Sequence, residues 1–331
     1  MAQTANSQVG KEVILSEYVL DALSPIAKSY HGQVFPVRRI TNDQLYVVKM
    51  EDTTRYQLLE NEFKILKLLD GFRGIPKVIQ YAHEESKARN LMILEMLGQN
   101  LDTIFKQCTH KFSNKCIVQL ALQMFNIVEH IHSRGYVHGD IIPENFCVAH
   151  PHQPMSLPES YNDGFGHYLI YLVDYGLSSP YKDTHGVHVK DEGKGPKRTT
   201  LPRYMSRNVH KGKIPTRRDD LESLGYIWAY WVSGDKGLKW QNLNKPIEPK
   251  TSVISIAETP VSNNESPTSS PSPSSSPSKT GQSLAQGSKN ILRVKETISA
   301  SVLFQTLPKF ADYMTYVLNL KVSLVIIDSI N

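Results

Sequence analysis

The feature that most constrains this chain is a change of hydrophobic period at Gly98. Ahead of it, "EVILSEYVL", "QLYVVKM", "PKVIQYAHEE" and "RNLMILEML" are short runs rich in Val, Ile, Leu and Tyr, broken by polar turns such as "TND". Such runs are strands. One helix interrupts them: in "YQLLENEFKILKLLDG", Leu58, Leu59, Phe63, Leu66 and Leu69 recur at helical spacing, and Gly71 offers a stop. Beyond Gly98 the pattern is helical. "SNKCIVQLALQMFNIVEHIHSRG" is a long, largely buried helix with Ser113 as N-cap and Gly135 as its stop. "RRDDLESLGYIWAYWVSG" is apolar on most faces and belongs in the middle of a helical lobe. The chain is therefore read as α+β and bilobal, with a small β-rich lobe over 13–97, a larger helical lobe over 98–245, and a cleft between them. The helical signal resumes over 290–331, and there is no internal repeat.

Between the helical stretches, residues 246–289 include "ETPVSNNESPTSSPSPSSSPSKTGQS", which is Ser/Pro-rich and lacks aromatics. Such a segment cannot offset its ordering entropy and is expected to be a disordered insert. Residues 1–12 are polar and read as a loose N-terminus. The first residues lack the apolar core of a signal peptide, and no apolar run reaches the ~20 residues of a membrane helix. The tail "SLVIIDSIN" is apolar but too short to span. Three cysteines without a CxxC pair fit reduced thiols in a cytoplasmic or nuclear protein. The net charge of +5 is mild and predicts no specific nucleic-acid binding. Basic residues cluster over 190–213, either as a solvated loop or as an anion-binding surface.

In "YVHGDIIPENF", Asp140 precedes Asn145 by five residues in a loop that Pro143 keeps from being a simple helix. An Asp there can orient a hydroxyl and accept its proton, and an Asn can help hold magnesium. Asp174, in "LVDYG", closes an apolar strand where a carboxylate can bind a metal bridging two phosphates. Lys49 ends "YVVKM", and Glu62 lies mid-helix near the apolar face, where an unpaired charge is costly. Each residue alone has an ordinary reading: a turn former, or a lysine reaching to water. In order, however, they run strand Lys, helix Glu, Asp-x4-Asn after a long helix, then Asp-aromatic-Gly after a strand. That is the order of a protein-kinase cleft.

On these residues the chain resembles the casein kinase 1 superfamily of protein kinases, which includes the vaccinia-related kinases. The likeness covers about 19–245, with a weaker continuation over 290–322. "LEMLGQNLDTIF", "RYMSRN", "TRRDDLESLGY" and "LKWQNL" are similar to family signatures, and "HGD" and "DYG" are closer to the vaccinia-related branch. The resemblance implies a protein kinase-like fold, ATP and Mg2+ as cofactors, and a monomer acting on protein hydroxyls in acidic or pre-phosphorylated substrates. It assigns Lys49 to the phosphates with Glu62 as its partner, Asp140 as base, and Asn145 and Asp174 as magnesium ligands. It makes Leu94 the gatekeeper, sets the backbone of Glu95 and Leu97 against adenine, and puts His138 and Tyr175 in a column joining the lobes. Asp220 becomes a buried acid under the catalytic loop, and Arg203 part of the anion site. Gly139 replaces an Arg that senses activation-loop phosphorylation, which implies activity without that switch.

Four departures stand against this. In "IAKSYHGQV", Ala27 and Ser29 replace two glycines of the phosphate loop and only Gly32 remains. Ile142 replaces the catalytic-loop lysine, at a cost of ~3 kcal/mol by analogy with one lost oxyanion donor. Leu201, in "TTLPRY", replaces the threonine that bridges that lysine and the catalytic Asp. After "YMTYVLNLKV" the family continues into another helix where this chain has "SLVIIDSIN", which implies apolar surface left uncovered. Two readings follow: a slow serine/threonine kinase, or a pseudokinase that binds nucleotide and partners without turnover. In a third, the Ser-Pro steps at Ser266, Ser270, Ser272 and Ser276 are phosphorylated by other kinases and recruit partners.

Overall fold

The computed structural model describes residues 12–28, 32–55, 57–150, 169–183, 185–189, 195, 202–243 and 279–321. The expectations placed on residues 1–11, Ser29, Leu201, the Ser-Pro steps and the tail "SLVIIDSIN" lie outside the described residues.

The N-terminal lobe is one antiparallel sheet built from β1 (Val13–Ile14), β2 (Tyr18–Leu20), β3 (Ala27–Lys28), β4 (Gln33–Arg39), β5 (Leu45–Asp52), β6 (Val78–Glu84) and β7 (Arg89–Glu95). Its order is β1-β2-β4-β5-β7-β6, with β3 paired to β4. Side chains alternate across a strand. Tyr46 and Val48 of β5 therefore join Ile14, Tyr18, Val37, Leu91 and Ile93 in a cluster on one face. The opposite face takes the one helix, α1 (Leu59–Leu69), whose Leu59, Ile65, Leu66 and Leu69 are buried.

β8 (Leu97–Asn100) leaves this sheet and pairs with β10 (Phe146–Ala149), which also pairs with β11 (Ile170–Leu172). The helical lobe follows, with α2 (Leu101–Gln107) and the long α3 (Asn114–Ser133). Ser113 caps α3 by accepting the Cys116 N–H at 3.1 Å. Gly135 ends it at φ +87°, a left-handed turn that suits glycine. β9 (Tyr136–Val137) pairs with β12 (Ser179–Pro180). Then come α4 (Arg207–His210), α5 (Arg217–Ser233), α6 (Lys279–Thr297), α7 (Ala300–Leu303) and α8 (Pro308–Asn319). α5 is buried along nearly its whole length, as its sequence predicts. One continuous core runs from α1 through Phe146, Tyr175 and Leu172 to α3, α5 and α8, so the lobes share a packed seam beneath the cleft.

The helix α6 corrects one expectation. It begins at Lys279, inside the segment 246–289 expected to be disordered. Its buried residues include Gly287, Ile291 and Lys295, four apart. A stripe made of a glycine, an isoleucine and a lysine carries no hydrophobic signal, yet once packed it nucleates a helix that extends by one bond per added residue.

Asp220, near the start of α5, fixes the loop that follows α3. Its Oδ2 accepts from His132 Nε2 at 2.9 Å and from the His138 N–H at 2.8 Å, and its Oδ1 accepts from the Gly139 N–H at 2.8 Å. Burial works against its ionisation. The bonds and charge it receives from His132, with the histidine and backbone groups of the loop, outweigh that and hold the carboxyl below its usual range. The carboxylate thus contributes stability above its ordinary pKa and loses it as pH falls.

Removing one side of such an arrangement leaves buried donors without an acceptor. Asp220→Ala is expected to destabilise the lobe by about 3–5 kcal/mol in urea unfolding, and a loss below about 1 kcal/mol would contradict this account. A second test uses pH. Burial, helped by the nearby Lys295 charge, lowers His210 from 6.5 to about 4. The unfolded chain then takes up a proton that the folded one refuses, so stability falls between about pH 6.5 and 4, by on the order of 3 kcal/mol. His210→Asn removes the titrating group, so the stability of wild type relative to this variant should fall by that amount as the pH drops through the window.

Candidate active site

β5 sets the frame. Lys49 and Glu51 are two residues apart on one strand and so point to the same face, toward α1. The Lys49 Nζ donates to Glu62 Oε2 at 2.7 Å and to Asp174 Oδ1 at 2.8 Å. Lys49 is 8% exposed and Glu62 3%. Burial alone would discharge the ammonium. Asp174 and Glu62 outweigh it, so the Lys49 pKa rises above its ordinary value. Burial also pushes the Glu62 carboxyl up, against the pull of Lys49. The other Glu62 oxygen, Oε1, accepts the Tyr175 N–H at 3.3 Å, so this one side chain reaches both sides of the cleft.

Glu51 was not singled out by the sequence. It is 2% exposed, and its carboxylate accepts the N–H groups of Leu58 at 2.7 Å and Leu59 at 3.1 Å. Asn90 Nδ2 adds a third bond at 3.1 Å. Leu58 occupies the N-cap position of α1 and has no capping side chain of its own, so the neighbouring strand supplies the cap. The signal is faint: an acid two residues past a strand lysine, ahead of a helix lacking Ser, Thr, Asp or Asn at its start.

The catalytic-loop candidates come together through Val173. Its N–H donates to the Asn145 carbonyl at 2.9 Å, and its carbonyl lies 3.2 Å from His138 Nε2. His138 Nδ1 accepts the Asp140 N–H at 3.2 Å, which fits the tautomer with hydrogen on Nε2. Asn145 Nδ2 donates to the Asp140 carbonyl at 2.9 Å and to its Oδ2 at 3.1 Å, so the asparagine orients the aspartate. Asp174 follows Val173 at φ 65°, a left-handed conformation that aspartate tolerates better than most residues. The rings of His138 and Tyr175 meet edge to face with centroids 4.9 Å apart.

The nucleotide-side candidates lie around this centre. Leu94, half-buried on β7, stands opposite Val47 and Val78 in the sheet. The Glu95 N–H donates to the Lys77 carbonyl at 3.1 Å. Leu97 starts β8, opposite Ala149. Gly32 lies so close to β5 that a Cβ would sit 2.6 Å from the Met50 carbonyl oxygen, so this remaining glycine is required by packing. Ala27 is exposed on β3. Ile142 is half-buried and packs against the main core. Arg203 has its guanidinium over the rings of Tyr204 and Tyr230 at 5.7 and 5.5 Å, within the field of Glu144, the residue before Asn145.

The donor set suits a hard cation shared with phosphates. Magnesium takes oxygen ligands, keeps waters, and is held by one or two carboxylates plus phosphate oxygens. Asp174 and the amide oxygen of Asn145 would hold it, with the Lys49 ammonium 2.8 Å from Asp174. Among the described residues no cluster of three or more His, Cys, Asp or Glu forms a self-sufficient metal centre. No helix among them is long and apolar enough to cross a membrane.

Comparison with known proteins agrees with this geometry. Residues 24–297 match the protein kinase domain family. Casein kinase I homolog 2 of Schizosaccharomyces pombe is 32% identical over 219 residues, covering 66% of this chain and 47% of the relative. Casein kinase I homolog 3 of the same yeast is 34% identical over 221 residues, covering 66% and 46%. Casein kinase I homolog 1 of Saccharomyces cerevisiae is 32% identical over 223 residues, covering 67% and 38%. The chain spans less than half the length of these relatives. With its ordered cleft and these matches, the chain belongs to the protein kinase domain family and is casein kinase 1-like.

Proposed function

We propose that the chain is a slow serine/threonine protein kinase that transfers the γ-phosphoryl group of ATP to protein hydroxyls. The observation that carries this reading is the buried Lys49 ammonium held at 2.7 Å from Glu62 and 2.8 Å from Asp174. A buried charge is kept only where it is paired, and this pairing presents a cation and a carboxylate side by side.

ATP would supply the phosphoryl group, and a magnesium ion held by Asp174 and Asn145 would offset the negative charge of its phosphates. Lys49, steadied by Glu62, binds non-bridging oxygens. Asp140, oriented by the Asn145 amide, takes the proton of the substrate hydroxyl as its oxygen attacks phosphorus and the bond to ADP breaks. Arg203, its guanidinium set over two aromatic rings, reads an acidic or phosphorylated residue of the substrate. The substrate class, the role of each residue and a cytoplasmic or nuclear setting all belong to this proposal. Ile142 and Ala27 explain why turnover is slow: no ammonium meets the transferring group from the catalytic loop, and a Cβ hinders approach of the phosphate loop. The packed Ile142, together with the altered glycine loop and Leu201, favours the second reading, a pseudokinase that binds nucleotide without turnover.

Magnesium and ATP together should raise the melting temperature, by the equivalent of about 2.7 kcal/mol at a hundredfold excess over Kd. No shift with any nucleotide would end the kinase reading. Wild type should label casein above an Asp174→Ala blank, and equal incorporation in the two would leave the pseudokinase. Ile142→Lys combined with Leu201→Thr should raise kcat, on the order of a hundredfold if one transition-state donor is restored. An unchanged kcat would locate the defect in the glycine loop instead.

A further inference from the structure

Beneath Arg203 lies a group of residues that none of the chemistry above uses. Lys295, on α6, is 1% exposed and makes no ion pair among the described residues. Its Nζ donates to the carbonyls of Pro202 at 2.9 Å and Met205 at 2.6 Å. It lies over the rings of Tyr226 at 4.4 Å and Trp240 at 5.2 Å. Glu222, whose charge acts on it, is already bonded to Arg207 and to the Tyr226 hydroxyl. Trp240 is fully buried, and its indole Nε1 donates to the Arg203 carbonyl at 2.9 Å. His210 Nε2 lies 3.0 Å from the Pro202 carbonyl and 3.3 Å from the lysine.

Three carbonyls within the four residues 202–205 are thus tied from below. A lysine buried without a carboxylate is costly, and an apolar side chain between the same aromatic faces would pack α6 more cheaply. What the amine provides, and an apolar residue cannot, is a pair of bonds that bracket Arg203 and Tyr204. Those bonds fix the backbone from which the Arg203 guanidinium extends over Tyr230.

The geometry points to Lys295 and Trp240 as positioning residues for substrate recognition: they hold the loop 202–205 so that Arg203 meets the anionic group of an acidic or phosphorylated peptide. This rests on the reading of Arg203 given above. It concerns only the peptide side of the cleft, so it separates peptide binding from nucleotide binding. General damage to the lobe would lower both.

The test measures binding of a fluorescent phosphoserine-containing acidic peptide to the full chain, beside the Mg-ATP thermal shift, for wild type, Arg203→Ala, Lys295→Met and Trp240→Phe. Trp240→Phe keeps the aromatic wall and removes only the indole donor, so it decides the matter if Lys295→Met fails to fold. Both positioning variants are expected to weaken peptide binding by about tenfold, the scale of one hydrogen bond to a charged group, while the ATP shift stays at its wild-type value. Peptide binding at wild-type strength in the folded variants, with Arg203→Ala weakened, would overturn this inference and leave the reading of Arg203 standing. If the wild type does not bind the peptide, or Arg203→Ala binds it as the wild type does, that reading falls and this inference with it. Parallel loss of peptide and ATP binding would reduce the two residues to core packing and overturn the positioning role.

Discussion

A single ammonium, that of Lys49, holds three elements in register: its own strand β5, α1 through Glu62, and the turn after β11 through Asp174. Taken from water without partners it would cost several kcal/mol, so it is stable only while both carboxylates stay in place. That makes it a sensor of its own surroundings. Anything that moves α1 away, or turns Asp174 outward, strands a buried charge. Glu51 makes the first of those displacements harder, because β5 then holds the first turn of α1 by its backbone N–H groups as well as by Glu62.

The lower half of the cleft is organised by hydrogen bonding of another kind. Asp220, Asn145 and Lys295 each use one side chain to hold a stretch of loop backbone. Loops cannot bury their own polar groups, so a loop that must keep one shape beside a reaction centre borrows partners from the helices beneath it. In this lobe those partners are charged or amide side chains on or next to buried helices, which is why α5 and α6 carry buried acids and a buried lysine along faces that would otherwise be apolar.

Much of this could be read in the sequence, and the parts that could not share a physical cause. The strands, α1, α3 and α5 follow from hydrophobic period. The ends of α3 at Ser113 and Gly135 follow from capping chemistry, since each depends on a few adjacent residues. Lys49, Glu62, Asp140, Asn145 and Asp174 stood out because their order along the chain is itself unusual, and the fold brings them together. Glu51, Lys295 and Trp240 did not, because what each one does depends on a partner far along the chain. Glu51 looks like a polar strand end, and Lys295 like an exposed lysine on a weak helix. The start of α6 was misplaced for the same reason: its buried stripe of Gly287, Ile291 and Lys295 is visible only against the lobe that receives it.

The bonds from Asp220 also set an order of events during synthesis. Its partners His132 and His138 lie 88 and 82 residues earlier in the chain. At ~5–20 residues per second, the segment holding His138 and Gly139 leaves the ribosome roughly 4–16 s before the carboxylate that will hold it. Contacts of such long sequence separation form slowly, because chain closure must precede any gain from them. The loop that carries Asp140 and Asn145 therefore waits for α5, and takes its native shape only after the helix beneath it has docked.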